Sequence, residues 1–139
     1  MCGITGFIGF NDRNRIRKMT DAIEHRGPDD KGYFSDKGIE LGNRRLAIID
    51  LSRRGHQPMS NEEGNITITY NGEVYNFKEL RSELERREYR FKSGTDTEVI
   101  LKAYEEYGEN CVQKFNGMFA FAIWDSRKGK KQLLLAKDR

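Results

Sequence analysis

Hydrophobic positions along this chain alternate between two periods, and the changes of period mark its elements. Residues 3–10 form a short, largely apolar run beside the N-terminus and predict a strand that ties the terminus into a sheet. Ile16, Met19, Ala22 and Ile23 then share one stripe of a helix that ends before Gly27-Pro28. Residues 31–50 predict a pair of strands, the second containing Leu46-Ala47-Ile48-Ile49. After the Gly55-His56-Gln57-Pro58 loop, Ile66-Thr67-Ile68-Thr69-Tyr70 alternates as a half-buried strand does, and Asn71-Gly72 predicts the turn that ends it. Asn76 with Glu79 reads as a capping box opening a helix that carries Phe77, Leu80 and Leu84 on one face. Thr95 with Glu98 repeats the device, with Val99, Ile100, Ala103, Tyr104 and Tyr107 inward and Gly108 at the stop. Residues 117–124 predict a strand, 125–129 a turn and 131–136 its partner. The order β-α-ββ-β-α-α-ββ fits an α+β layered sheet better than alternating βαβ units.

Composition narrows the class. A chain of 139 residues is one domain, long enough to bury a core. Its 36% hydrophobic content is modest, but eight Phe, six Tyr and one Trp need burial, which argues against disorder. The net charge of +3 comes from basic doublets (Arg44-Arg45, Arg53-Arg54, Arg86-Arg87, Lys130-Lys131) interleaved with 22 acids. That is a mixed solvated surface, with no basic stripe or aromatic signature for nucleic acid. No apolar stretch approaches a membrane span, and residues 1–10 carry no secretion signal. Cys2, His25, His56 and Cys111 lack the paired spacing of a zinc site, so no metal is expected. Two distant cysteines make no disulfide framework, and the expected compartment is the cytoplasm.

Cys2 is the first candidate for chemistry. If Met1 is removed, as is usual before a small residue, Cys2 carries a thiol and a free α-amine together. α-Amines titrate at roughly 7.7–8.0 and free thiols near about 8.5, so near neutral pH such an amine can take a proton from sulfur. Asn71 and Gly72 offer a side-chain amide and a backbone N–H for an oxyanion, or simply a hairpin turn. Arg45, entering the strand expected at 46–49, is either a carboxylate clamp or a solvent-edge arginine. Asp96, inside a helix N-terminus, either caps the helix or binds a substrate ammonium, and Glu73 is ambiguous in the same way. His25 and His56, beside proline-containing turns, read as loop hydrogen-bonders.

These residues sit in blocks that occur in a fixed order: Met1-Cys2-Gly3-Ile4-Thr5-Gly6, His25-Arg26-Gly27-Pro28-Asp29, Arg45-Leu46-Ala47-Ile48-Ile49-Asp50, Gly55-His56-Gln57-Pro58-Met59, Tyr70-Asn71-Gly72-Glu73-Val74-Tyr75-Asn76, Gly94-Thr95-Asp96-Thr97-Glu98 and Gly117-Met118-Phe119-Ala120-Phe121. Together they resemble the glutaminase domain of glutamine-hydrolysing asparagine synthetase, a class II glutamine amidotransferase with the N-terminal-nucleophile fold. The resemblance implies a four-layer αββα sandwich. It implies that Cys2 attacks the side-chain amide of L-glutamine, that Asn71 and Gly72 form the oxyanion hole, and that Arg45 holds the α-carboxylate. Asp96 and Glu73 would face the α-ammonium, and Leu46, Ala47, Ile48 and Ile49 would line the pocket. Asn43 stands where many relatives have His, outside the implied pocket.

The resemblance also implies that residues 1–139 are a type-2 glutamine amidotransferase domain truncated at its C-terminal end. The family continues from there into further strands and an ATP- and Mg²⁺-dependent synthetase domain that makes asparagine from aspartate. No cofactor is expected in this chain itself. The expected partners are L-glutamine and a synthetase domain or partner chain, with room for a homo-oligomer and none for nucleic acid or membrane. Two other readings stay open: a catalytically inactive glutamine-binding or assembly fragment, and an N-terminal-nucleophile hydrolase acting on a different amide, against which Arg45 argues.

Overall fold

A computed structural model describes residues 1–129 and 131–139. Lys130, half of the last basic doublet, lies outside the described residues. The first apolar run becomes β1 (Gly3–Ile8), and α1 (Arg13–Ala22) follows, its start fixed by Asp12, whose carboxylate accepts the Arg15 N–H at 2.9 Å. β2 (Asp30–Asp36) and β3 (Ile39–Arg45) form a hairpin. β3 is central in a three-stranded antiparallel sheet of order β1-β3-β2, with Gly3 opposite Arg44 and Asp30 opposite Arg45.

The second sheet contains β4 (Met59–Ser60), β5 (Ile66–Val74), β6 (Gly117–Asp125) and β7 (Gln132–Lys137), in that order across the sheet and antiparallel throughout. Between β5 and β6 the chain passes through α2 (Phe77–Glu85) and α3 (Asp96–Tyr107). Thr95 caps α3, its hydroxyl accepting the Glu98 N–H at 3.2 Å, and Gly108 stops it at φ +58°.

Side-chain alternation on the strands sets the layers. Ile39 and Leu41 of β3 meet Ala122 and Trp124 of β6, which fills the space between the sheets. The other face of β3 meets α1, where Gly42 lies under Thr20 and Arg44 donates to the Thr20 carbonyl at 3.2 Å. On the far sheet, Ile66, Ile68, Phe121 and Ile123 pack against Leu84, Val99 and Ile100 of α2 and α3. The result is the αββα sandwich that the resemblance implies. Because both faces of β3 are covered, all seven of its residues are buried, polar ones included.

Several local expectations are corrected. The strand expected through Leu46-Ala47-Ile48-Ile49 stops at Arg45, because β1 and β2 supply partners only as far as Arg44 and Arg45. Past that point Ile48 is 71% exposed. Asn71-Gly72 is not a hairpin turn: β5 runs through it to Val74, which pairs with Gly117. Asn76 precedes α2 but makes no capping bond, since its side chain donates to the Lys114 carbonyl at 2.9 Å and accepts the Asn116 N–H at 3.0 Å. The doublet Arg44-Arg45 is buried rather than part of the solvated surface. Arg44 lies at the C-terminal end of α1, between its carbonyls and Asp21, where a cation is favoured.

Candidate active site

The register of β1 on β3 decides where the thiol goes. With Gly3 opposite Arg44, the register carries Cys2 on to the level of Arg45, the last residue of β3, and its thiol reaches Leu46 just beyond the strand. The Leu46 N–H donates to Cys2 Sγ at 3.4 Å, and the thiol faces the Leu46 carbonyl at 3.7 Å. Cys2 is half-buried, whereas Met1 before it is 57% exposed.

Arg45 is 7% exposed, which removes the solvent-edge alternative. Its Nη1 donates to the Ser52 carbonyl at 2.9 Å and its Nη2 to the Asp50 carbonyl. Those two bonds use one N–H of each nitrogen, and among the described residues the fork's others make no further bond. A Cβ at Gly55 would come within 2.6 Å of Arg45 Cζ, so only glycine lets the guanidinium lie there.

The free edge of β5 supplies the opposite wall. Alternate N–H groups of a strand point to the same side. The Tyr70 N–H bonds Gln57 Oε1 at 2.7 Å, and the Val74 N–H bonds Asp96 Oδ2 at 3.1 Å. The N–H of Gly72 lies between them and leaves the same edge, where β4 pairs only as far as Ile68. On the other side, Phe119 directs its carbonyl to the Asp138 N–H at 2.9 Å, away from Gly72. Gly72 takes φ +148°, and a Cβ there would stand 2.6 Å from Phe119 Cα.

Asp96 is 4% exposed and accepts the Tyr70 hydroxyl at 2.6 Å as well as the Val74 amide. Burial raises its carboxyl pKa, against the lowering effect of those hydrogen bonds. The Tyr70 phenol is pushed up too, first by burial and then by the Asp96 charge.

Cys2, Arg45, Leu46, Ile48, Ile49, Gly72, Glu73 and Asp96 line one pocket of about 680 Å³, its open mouth included. Two of the sequence candidates are not in that wall. Ala47 faces a neighbouring cavity, and its N–H is taken by Asp29 Oδ2 at 2.9 Å. Asn71 shares the inter-sheet face of β5 with Thr69, and its Oδ1 is buried without a partner among the described residues. His56 is a loop hydrogen-bonder, with Nδ1 2.6 Å from Asp30 Oδ2. Among the described residues no group of three or more His, Cys, Asp or Glu is arranged to hold a metal.

Sequence reasoning missed the polar residues that hold the wall in place. Gln57 accepts from Tyr70 and donates to Thr97 Oγ1 at 3.3 Å, which joins β5 to α3. Asn43, fully buried, donates to Gln57 Oε1, Thr69 Oγ1 and the Tyr70 carbonyl, so it supports the pocket from behind. The available signal was Gln57 beside a proline in a quoted motif with no role assigned to it.

A family model described as a glutamine amidotransferase domain, GATase_6, matches residues 1–139. A putative glutamine-hydrolysing asparagine synthetase 2 from Methanocaldococcus jannaschii is 46% identical over 150 residues, covering 93% of this chain and 28% of the relative. Glutamine-hydrolysing asparagine synthetase 3 from Bacillus subtilis is 41% identical, covering 100% of this chain and 23% of the relative. The chain thus spans about a quarter of the length of these curated relatives. Among solved structures, a Bacillus subtilis glutamine phosphoribosylpyrophosphate amidotransferase complexed with ADP and GMP superposes with a TM-score of 0.79. It covers 99% of this chain and 37% of its own, and at 20% identity the likeness is one of fold.

Proposed function

Because this chain belongs to the glutamine amidotransferase domain family, we propose that it hydrolyses the side-chain amide of L-glutamine to glutamate and ammonia with Cys2 as nucleophile. The observation that carries this reading is the gathering of Cys2, Arg45, Gly72, Glu73 and Asp96 around one pocket.

Loss of Met1 frees the α-amine of Cys2, which takes the thiol proton as sulfur adds to the carboxamide carbon. The negative oxygen that forms is held by the Gly72 N–H and by the Asn71 side-chain amide. Asn71 Oδ1 has no partner among the described residues, so a turn of that side chain breaks no bond at that oxygen. Each such donor is worth ~10²–10³ in rate. Collapse breaks the C–N bond, the protonated amine returns its proton to the leaving nitrogen, and ammonia departs from a γ-glutamyl thioester. Water, deprotonated by the same amine, then cleaves the thioester, giving glutamate and the free thiol. Arg45 would hold the α-carboxylate by its unused N–H donors, and Asp96 with Glu73 would hold the α-ammonium. Leu46, Ile48 and Ile49 would flank the methylene chain, with Ala47 shaping the loop between them.

The ammonia is passed, in this proposal, to a synthetase domain that makes asparagine from aspartate. Two observations support that partner. The curated relatives are longer proteins named glutamine-hydrolysing asparagine synthetases. The pocket mouth is rimmed by exposed apolar side chains, Ile48 at 71% and Met118 at 53%. ATP and magnesium would belong to that domain, and this chain needs no cofactor for hydrolysis. No helix among the described residues is long and apolar enough to cross a membrane.

Intact-mass measurement before and after treatment with a diazoketone analogue of glutamine tests the reading. The expected result is a chain lacking Met1 with one adduct on Cys2, and no glutamate production by Cys2→Ala. Cys111 is fully buried with its thiol pKa pushed up to about 12 by burial, so it is not a competing target. Retention of Met1 in active protein, or hydrolysis by the Cys2→Ala chain, overturns the reading.

A further inference from the structure

The segment 46–55 carries much of the pocket wall yet has little to hold it down. It has left the sheet at Arg45, and three of its apolar side chains are exposed rather than packed into the core: Ile48 is 71%, Ile49 41% and Leu51 79% exposed. What fixes it must therefore be polar, and the bonds can be followed one by one.

Asp29 Oδ2 accepts the Ala47 N–H at 2.9 Å, a tie to the segment leading into β2. Asp50 makes the tie to the far side of the pocket. Its Oδ1 accepts the Ser52 N–H at 2.8 Å, and its Oδ2 accepts the Gly94 N–H at 2.9 Å, just ahead of α3. Arg54 adds a longer clasp to the Lys92 carbonyl at 3.3 Å. The anchor is itself immobile. Glu98, 6% exposed, accepts the N–H groups of Lys92 at 2.9 Å and Ser93 at 2.7 Å and the Ser93 hydroxyl at 2.6 Å. The turn offering the Gly94 amide is thus held rigidly by α3, the helix that carries Asp96.

We propose that Asp50 is a positioning residue, a latch that fastens the 46–55 loop to the turn before α3 and thereby holds Arg45 and the Leu46 backbone in place around Cys2. Both carbonyls that grip the Arg45 guanidinium, those of Asp50 and Ser52, belong to the latched segment. Releasing Asp50 from Gly94 frees them together, and a buried guanidinium beside Gly55 loses two acceptors at once. The loop then spends much of its time unable to receive a substrate carboxylate, which reduces apparent affinity in proportion to the fraction of time it remains latched. The latch is charged under ordinary conditions. The Ser52 hydroxyl, then the Gly94 and Ser52 amides, hold the Asp50 carboxyl down at about 2 from 3.8. A lowered folded-state pKa means the contribution is present above 3.8 and is lost as pH falls through about 2.

The inference rests on the glutamine reading of the same pocket, so its test needs one readout that does not. In the full chain, Asp50→Ala is expected to raise KM for glutamine about tenfold while kcat stays within about threefold. Amide hydrogen exchange is the independent measurement: residues 46–55 should exchange about tenfold faster, with β5 and β6 unchanged. Asp50→Asn, which keeps one acceptor, should fall between. Gly94→Ala keeps the N–H and puts its methyl 3.7 Å from Asp50 Oδ2, an ordinary contact, so both readouts should stay at their original values. Wild-type KM and wild-type loop exchange in Asp50→Ala overturn the latch, as does a loss confined to kcat. If the unaltered chain makes no glutamate, the hydrolysis reading falls and loop exchange alone decides the latch.

Discussion

A methyl group at position 72 has no room. It would stand 2.6 Å from Phe119 Cα and against the Met118 carbonyl, and the backbone there sits at φ +148°, open to glycine and hostile to other residues. Gly72→Ala is therefore expected to cost at least ~1–3 kcal/mol in a denaturant titration from backbone strain alone. It should also depress glutamate formation beyond any loss of folded protein, because relief of the clash swings the N–H away from the pocket. The same residue shows how far sequence reading reaches. Asn71-Gly72 was legible as a place where glycine is needed, but the dipeptide's usual setting is a turn. That β5 continues through it depends on β6, a partner far along the chain. Cys2 and Arg45 were legible as residue types suited to the chemistry. Gln57 and Asn43 were not, since each acquires its role only by bonds between segments distant in sequence.

At the scale of elements, the helices followed their sequence signals closely where no competitor intervened. Thr95 caps α3 as its pattern implies, while Asn76 fails to cap α2 because the Lys114 carbonyl and Asn116 amide claim its side chain. The apolar run at 46–49 misled for a related reason: apolarity suits a buried strand, but a strand also needs neighbours, and β1 and β2 end first. The start of α3 matters beyond its own stability because it presents Asp96 and steadies the turn at Gly94. Thr95→Ala removes the cap and the Ser93 hydroxyl's 2.9 Å partner. It should cost about 1 kcal/mol and lower the melting temperature by a few degrees in a thermal scan.

At the scale of the whole molecule, two sheets enclose a shared interior whose flank stays accessible. Among the described residues β1 pairs only with β3, and β7 only with β6. Between those two edges runs an apolar groove that includes Ile8 at 60% and Leu135 at 69% exposure. Such edges invite self-association. Leu135→Glu is expected to reduce binding of a hydrophobic fluorescent dye and to lower the sedimentation-derived mass at high concentration, with the fold's circular dichroism unaltered. The pairing of Cys2 with a loop that lies beyond β3 has a further outcome in time. During synthesis the sulfur emerges from the ribosome early, whereas Met118, the last lining residue, follows only after β1 to β5 and α1 to α3 have been made. A nascent chain therefore carries its thiol long before the pocket around it exists, and the proposed ammonia release would have to wait for translation to pass β6.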